Sequence, residues 1–123
     1  TCSASYPLDF HDKLLKAKDI SGLKYIHIQT ACPPGWGCEE RMTVKIGKMA
    51  IECGLFDLYE IEGGQKKLSE PTAKLLKKDK LRPVEDYLKM QTRFKALSDE
   101  QIVAMQQKID QKWETYRQEF AEK

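Results

Sequence analysis

The chain has 123 residues, 33% of them charged, with Lys+Arg 21 against Asp+Glu 19 and a formal net charge of +2. That length suits one domain or part of one and can bury a core without staples, and the near-balance of charge gives no electrostatic case for nucleic acid. No apolar run reaches the roughly 18 residues of a membrane span, and four cysteines (Cys2, Cys32, Cys38, Cys53) are too sparse for a disulfide-dense secreted fold, so a reducing, cytoplasmic setting is expected.

The sequence starts at Thr1, not Met, almost inside the first predicted helix and without a signal-peptide pattern; a fragment or a processed chain is the expectation. Pro7 is placed as the first residue of a helix, where its missing N–H costs nothing. Phe10, Leu14 and Ala17 then recur at helical spacing, and Ser21-Gly22 ends the helix. Residues 24–30 read as a strand: Ile26 and Ile28 share one face, Tyr25 and His27 the other, as in an interior strand of an α/β sheet.

The next segment is Cys32-Pro33-Pro34-Gly35-Trp36-Gly37-Cys38. It leads into a helix over residues 39–53, where Met42, Ile46, Met49, Ala50 and Cys53 form one stripe and Gly54 follows as the terminator. Residues 55–61 read as a second strand. Strand, loop, helix and strand make a βαβ-type unit, and in α/β sheets ligand sites lie beyond the carboxyl ends of the strands. The cysteine loop occupies such an end.

Gly63-Gly64 reads as a turn, and residues 65–82 as a polar linker with weak order signals at Leu68 and Leu75-Leu76; the basic stretch Lys77-Lys78-Asp79-Lys80 reads as solvated. Pro83 opens a helix that turns Val84, Tyr87, Leu88 and Phe94 inward. Ser98 and Gln101 form a capping box for a last helix carrying Ile102, Met105, Ile109, Trp113, Tyr116 and Phe120. That stripe needs a partner, either the α/β unit or another subunit, and a larger assembly is the preferred reading. The expected fold class is α/β: a partial βαβ-type sheet unit over residues 1–64, the linker 65–82, and two carboxyl-terminal helices over residues 83–123.

Cys32 carries the best case for chemistry. Soft metals and iron–sulfur clusters need thiolates on backbone of limited freedom, and two prolines and two glycines flank it. The bland readings are an inert buried thiol or a Cys32–Cys38 disulfide. Cys53, on an apolar stripe, reads as core, and Cys2 has no assigned role. His27 reads as a packed histidine, and Asp9, His11 and Asp12 spread over different faces of a helix. Glu39 and Glu40 are helix-dipole partners before they are acids. Trp36 covers a cofactor, a neighbouring subunit or the local core. There is no CxxC, zinc-finger spacing, P-loop, GxGxxG or Ser/His/Asp arrangement, and no complete active site.

The stretches Gly22-Leu23-Lys24-Tyr25-Ile26-His27-Ile28 and Ala31-Cys32-Pro33-Pro34-Gly35-Trp36-Gly37 resemble the β subunit of pyruvate:ferredoxin oxidoreductase, which has Cys-Pro-Thr-Gly-Trp at this point. The likeness continues through Thr43-Val44-Lys45-Ile46-Gly47, Ala50-Ile51-Glu52-Cys53-Gly54-Leu55-Phe56, Leu58-Tyr59-Glu60, Arg82-Pro83-Val84-Glu85-Asp86-Tyr87-Leu88 and Gln91-Thr92-Arg93-Phe94. The resemblance implies a carboxyl-terminal fragment of that subunit, inactive alone. In that family a 2-oxoacid such as pyruvate is oxidatively decarboxylated with coenzyme A, thiamine diphosphate with Mg is the cofactor, and electrons pass through [4Fe-4S] clusters to ferredoxin. It further implies that Cys32 is the late, fourth ligand of the cluster nearest thiamine diphosphate, with the remaining ligands, the rest of the β subunit and the other subunits outside this sequence. Pro34 departs from the family's Thr, and Cys38 is an extra thiol. The competing readings are a non-catalytic α/β module with structural cysteines that binds a partner through its last helix, and a thiol enzyme using Cys32 as nucleophile, for which no paired base is evident.

Overall fold

The computed structural model describes residues 1–120; the last three positions of the expected helical extension, 121–123, lie outside them. Strand β1 (Cys2–Ser3) runs into helix α1 (Pro7–Asp19) and then strand β2 (Ile28–Gln29), which pairs parallel with β1 through Cys2↔Ile28 and Ser3↔Gln29. Pro7 stands in the first turn of α1, Asp9 lies near the positive end of its dipole, and Lys16 and Lys18 lie near the negative end. Asp9 also accepts from Lys13 at 2.8 Å, and the same ammonium reaches the carbonyl of Thr1 at 2.8 Å, so a buried lysine ties α1 to β1.

The α/β class stands, but the βαβ unit is β1–α1–β2, one element earlier than the sequence pattern placed it. Of residues 24–30 only Ile28 and Gln29 find a strand partner, while Leu23 and Tyr25 are exposed. Periodicity reports which faces a strand would have, and a strand exists only where a neighbour supplies hydrogen bonds. The expected second strand, residues 55–61, is β3 (Tyr59–Glu62), and it turns antiparallel onto β4 (Gln65–Leu68) instead of joining β2. Gly63 (φ 56°) and Gly64 (φ 78°) form the two-residue connection, both in the left-handed region that tight hairpins require. Thr1 links the two sheets: its hydroxyl donates to the carbonyl of Asp57 at 2.6 Å and accepts from the Tyr59 N–H at 2.9 Å.

Along the chain between β2 and β3 come a single helical turn α2 (Pro33–Trp36) and helix α3 (Thr43–Glu52), which buries Ile46, Met49, Ala50 and Ile51. Each large apolar side chain so buried contributes about 1.5–3 kcal/mol relative to exposure. Gly47 lets α3 approach the β1–β2 pair; a Cβ there would stand 2.0 Å from Ser5 Oγ.

Residues 65–82, expected as a linker, hold β4 and helix α4 (Glu70–Leu76), with Leu68, Thr72, Leu75 and Leu81 buried. Thr72 Oγ1 accepts from the Leu58 N–H at 2.8 Å, which satisfies a buried donor where the chain leaves the core. Helix α5 (Val84–Leu88) follows and stops short of Phe94, which lies in a separate 3₁₀ turn at residues 92–94 and is half-buried.

Helix α6 (Asp99–Phe120) begins at the expected capping box: Gln101 N–H donates to Ser98 Oγ at 3.3 Å, and Ser98 N–H to Gln101 Oε1 at 2.9 Å. Its stripe, expected to pack within a larger assembly, finds a partner inside the chain. Ile109 and Trp113 are buried on the side of α6 that meets α4, α5 and the residues after α3, in one core cluster with Ile46, Leu58, Leu75, Val84 and Tyr87. Among the described residues no helix is long and apolar enough to cross a membrane.

Candidate functional site

The cysteine loop starts three residues beyond β2, so it does leave the carboxyl end of a parallel strand. Cys32 has extended backbone (φ −114°, ψ 96°), and the chain then closes one helical turn. The carbonyl of Cys32 accepts from Trp36 N–H at 2.8 Å, and that of Pro33 accepts from Gly37 N–H at 2.9 Å and Cys38 N–H at 3.1 Å. Pro33 and Pro34 hold φ near the helical value without a hydrogen bond of their own. Gly37, at φ 64°, ends the turn.

The two prolines stiffen the loop from within, and a tertiary contact holds it from outside. The 3₁₀ turn at residues 92–94 lies against it. Thr92 N–H donates to the Gly37 carbonyl at 3.0 Å. The Arg93 guanidinium sits 3.9 Å from the centre of the Trp36 ring. That guanidinium is itself aimed, with Nε donating to Gln91 Oε1 at 2.9 Å and Nη2 to the Tyr87 hydroxyl at 3.3 Å. Gln91 is buried, and its amide donates to the Tyr87 carbonyl at 3.0 Å. Trp36 thus covers the local core from one side and receives Arg93 on the other.

The structure separates the thiols. All four cysteines are free. Cys32 is exposed, while Cys38 is half-buried and packs against the core cluster beside Ala31, Trp36 and Met42. Cys53 is fully buried and its Sγ lies 3.6 Å from the Ala50 carbonyl; burial pushes that thiol above its usual range, opposed in part by nearby backbone N–H groups. Cys2 is buried in β1, and burial raises its thiol likewise. Of the four, Cys32 is the most exposed. Gly35 keeps the neighbourhood of that sulfur clear, since a Cβ at position 35 would stand 3.2 Å from Cys32 Sγ.

Cys32 is alone in this respect. Among the described residues no group of three or more His, Cys, Asp or Glu side chains is placed to hold a metal ion. His27 is exposed and meets Phe56 edge-on, ring centres 5.4 Å apart. Glu39 pairs with Arg41 at the surface, at 2.5 Å. Two surface clefts, one at the start of α1 with Tyr6, Asp12 and Lys48 and one beside α6 with Leu81, Gln106 and Asp110, do not include Cys32. Arg93 and Thr92 carried no signal of a role in the bare sequence, because their contact with the loop joins segments far apart in the chain.

No protein-family model matches the chain. Among curated proteins it is similar to the pyruvate synthase subunit PorB of Methanocaldococcus jannaschii, with 43% identity over 91% of this chain and 36% of that protein. The pyruvate synthase subunit PorB of Methanothermobacter marburgensis is 41% identical over 89% of this chain and 36% of its own length. The ketoisovalerate oxidoreductase subunit VorB of Pyrococcus furiosus is 37% identical over 93% of this chain and 35% of its own length. The chain therefore spans about 36% of the length of the curated relatives it matches.

Proposed function

Because the chain is homologous across most of its length to the PorB and VorB subunits of oxidoreductase complexes, we propose that it is part of the β subunit of a 2-oxoacid:ferredoxin oxidoreductase. The whole complex oxidatively decarboxylates a 2-oxoacid such as pyruvate to its acyl-coenzyme A, with thiamine diphosphate and Mg held by residues outside this chain and ferredoxin as electron acceptor. A [4Fe-4S] cluster in such a complex supplies one-electron transfer, at a potential set by its thiolates, their hydrogen bonds and their burial.

The contribution of this chain is one thiolate, Cys32. The residues fit that role as one corner of a four-thiolate site: an exposed Cys32, a glycine at position 35 where a Cβ would stand 3.2 Å from its sulfur, and, among the described residues, no group of three or more ligating side chains that could hold a metal alone. Three further ligands come from elsewhere in the assembly. The turn formed by Pro33, Pro34 and Gly37 fixes the Cys32 backbone before any metal arrives, so little ordering remains to oppose ligation. Cys38 faces the core and takes no part.

The observation that carries this reading is the pairing of the homology with an exposed Cys32 in a braced loop. Its test is made in the whole complex. Cys32→Ser is expected to lower iron by one cluster's content and to abolish one reduced-cluster EPR signal, while Cys38→Ser leaves both intact. Unchanged iron and EPR in Cys32→Ser refute the assignment.

A further inference from the structure

We infer that Arg93 is a positioning residue for the Cys32 sulfur, acting through Trp36; the inference rests on the reading of Cys32 as a cluster ligand. Of this four-residue turn only Trp36 packs against the core, no residue of it is fully buried, and Cys32 at its start is exposed. The 3₁₀ turn at residues 92–94 braces it from the other side. The guanidinium of Arg93 lies 3.9 Å from the Trp36 ring centre, close enough for a cation–π contact, and 4.5 Å from that of Phe94. Two oxygens, Gln91 Oε1 and the Tyr87 hydroxyl, fix the plane of the guanidinium, so its position over the indole is imposed by buried structure below it and not chosen by solvent.

Trp36 and Cys32 are joined through the same helical turn, by the hydrogen bond from Trp36 N–H to the Cys32 carbonyl at 2.8 Å. A displacement of the indole is therefore passed to the backbone that carries the sulfur. Lysine is a poor substitute, because a point charge can sit over the ring but cannot present the planar fork that Gln91 and Tyr87 hold.

The expected consequence is a cluster that keeps its ligand but loses its exact seating when Arg93 is truncated. In the whole complex, Arg93→Ala should speed iron loss to a ferrous chelator about two- to fivefold, the range set by a solvent-accessible cation–π contact, and should shift the g values and the reduction potential of the reduced cluster. Arg93→Lys should recover part of both, and Lys95→Ala, on the same turn, neither. Should Arg93→Ala fail to assemble, Trp36→Leu reads the same contact from the loop side, since it keeps an apolar side chain without a ring face. Cys32→Ser separates the two layers. If Cys32→Ser removes the cluster while Arg93→Ala and Trp36→Leu leave release rate, g values and potential as in the wild type, the positioning role is wrong and the ligand assignment stands. If Cys32→Ser also changes nothing, both are wrong.

Discussion

The indole N–H of Trp113 donates to the carbonyl of Gly54 at 3.0 Å, and the contact exists because position 54 has no side chain: a Cβ there would stand 2.1 Å from Trp113 Nε1 and 2.6 Å from Leu81 Cδ1. Gly54 also sits at φ 75°, which any other residue adopts at a cost. One glycine thus ends α3 and admits the largest side chain of the core. Trp113→Ala should cost about 3–5 kcal/mol in urea denaturation. Gly54→Ala should cost about 2–4 kcal/mol from strain plus overpacking. Gly64→Ala, also at positive φ but with nothing within 4 Å, should lose only the conformational part, about 1–2 kcal/mol. Equal losses at positions 54 and 64 would mean that the indole does not need the space.

Beside that contact, Asp57 gathers the side chains of α6. Its carboxylate accepts from Lys112 Nζ at 2.9 Å and from the Tyr116 hydroxyl at 3.0 Å, and Lys112 reaches the Gly54 carbonyl at 2.6 Å. Lys66 of β4 donates to the Tyr116 hydroxyl at 2.5 Å and lies over the rings of both Tyr59 and Tyr116. Asp57, whose side chain is only 10% exposed, thus anchors α6 to the segment before the hairpin, and Lys66 joins the hairpin to Tyr116. Asp57→Asn should destabilise by about 1–3 kcal/mol, as the ion pair with Lys112 becomes an ammonium–amide hydrogen bond. Tyr116→Phe should cost about 1 kcal/mol, and the double variant less than the sum. Additivity in a double-mutant cycle would show the two to be uncoupled.

Alkaline pH should weaken the fold. Burial raises the thiols of Cys53 and Cys2 above the ordinary value of 9.0. Tyr116 is raised well above the ordinary 10.0, first by burial and then by the Asp57 carboxylate. A group whose pKa is higher folded than unfolded keeps its stabilising contribution below the unfolded value and loses it as pH rises toward the folded one. Stability should hold up to about pH 8.5 and fall from about pH 9 upward. Denaturation midpoints at pH 7.5, 9 and 10 check this, and Cys53→Ala should flatten the fall. A midpoint that rises between pH 9 and 10 contradicts it.

How much of this was legible depended on whether a contact is local. The capping box at Ser98 and Gln101, the stripe of α6 and the turn at Gly63-Gly64 are all set by neighbours in sequence, and each stands where the pattern put it. The strand partners were not legible. Gln-Lys-Lys-Leu does not alternate apolar and polar residues, yet it forms β4, because Lys66 lays its chain over Tyr59 and Tyr116 and Leu68 enters the core. Nor could spacing separate Cys32 from Cys38, which stand at opposite ends of one symmetrical-looking Pro/Gly run. Their difference arises because Trp36 and Cys38 pack inward together, and that packing depends on a turn contributed by residues 92–94.

That packing gives a direct measurement on the cysteine loop. Gly37 is at φ 64°, and a Cβ there would stand 1.8 Å from Thr92 Oγ1 and 3.1 Å from Thr92 Cβ. The Thr92 hydroxyl can rotate away, but its Cβ cannot leave without breaking the Thr92 N–H bond to the Gly37 carbonyl. Gly37→Ala should therefore lift the loop from the 3₁₀ turn and expose Cys38, which is half-buried in the wild type, while Cys32 is exposed in both. Left-handed backbone alone costs an alanine about 1–2 kcal/mol, and each 1.4 kcal/mol is about a tenfold change in the open population. Alkylation of Cys38 by a neutral maleimide, followed by peptide mass spectrometry, should accelerate about tenfold or more, with the Cys32 rate changing little. Adding Thr92→Gly to Gly37→Ala, which removes the Thr92 Cβ, should relieve the steric part and leave the backbone strain. A Cys38 rate unaffected by Gly37→Ala would mean that Trp36 and the prolines alone hold the loop, and that the turn at residues 92–94 only lies beside it.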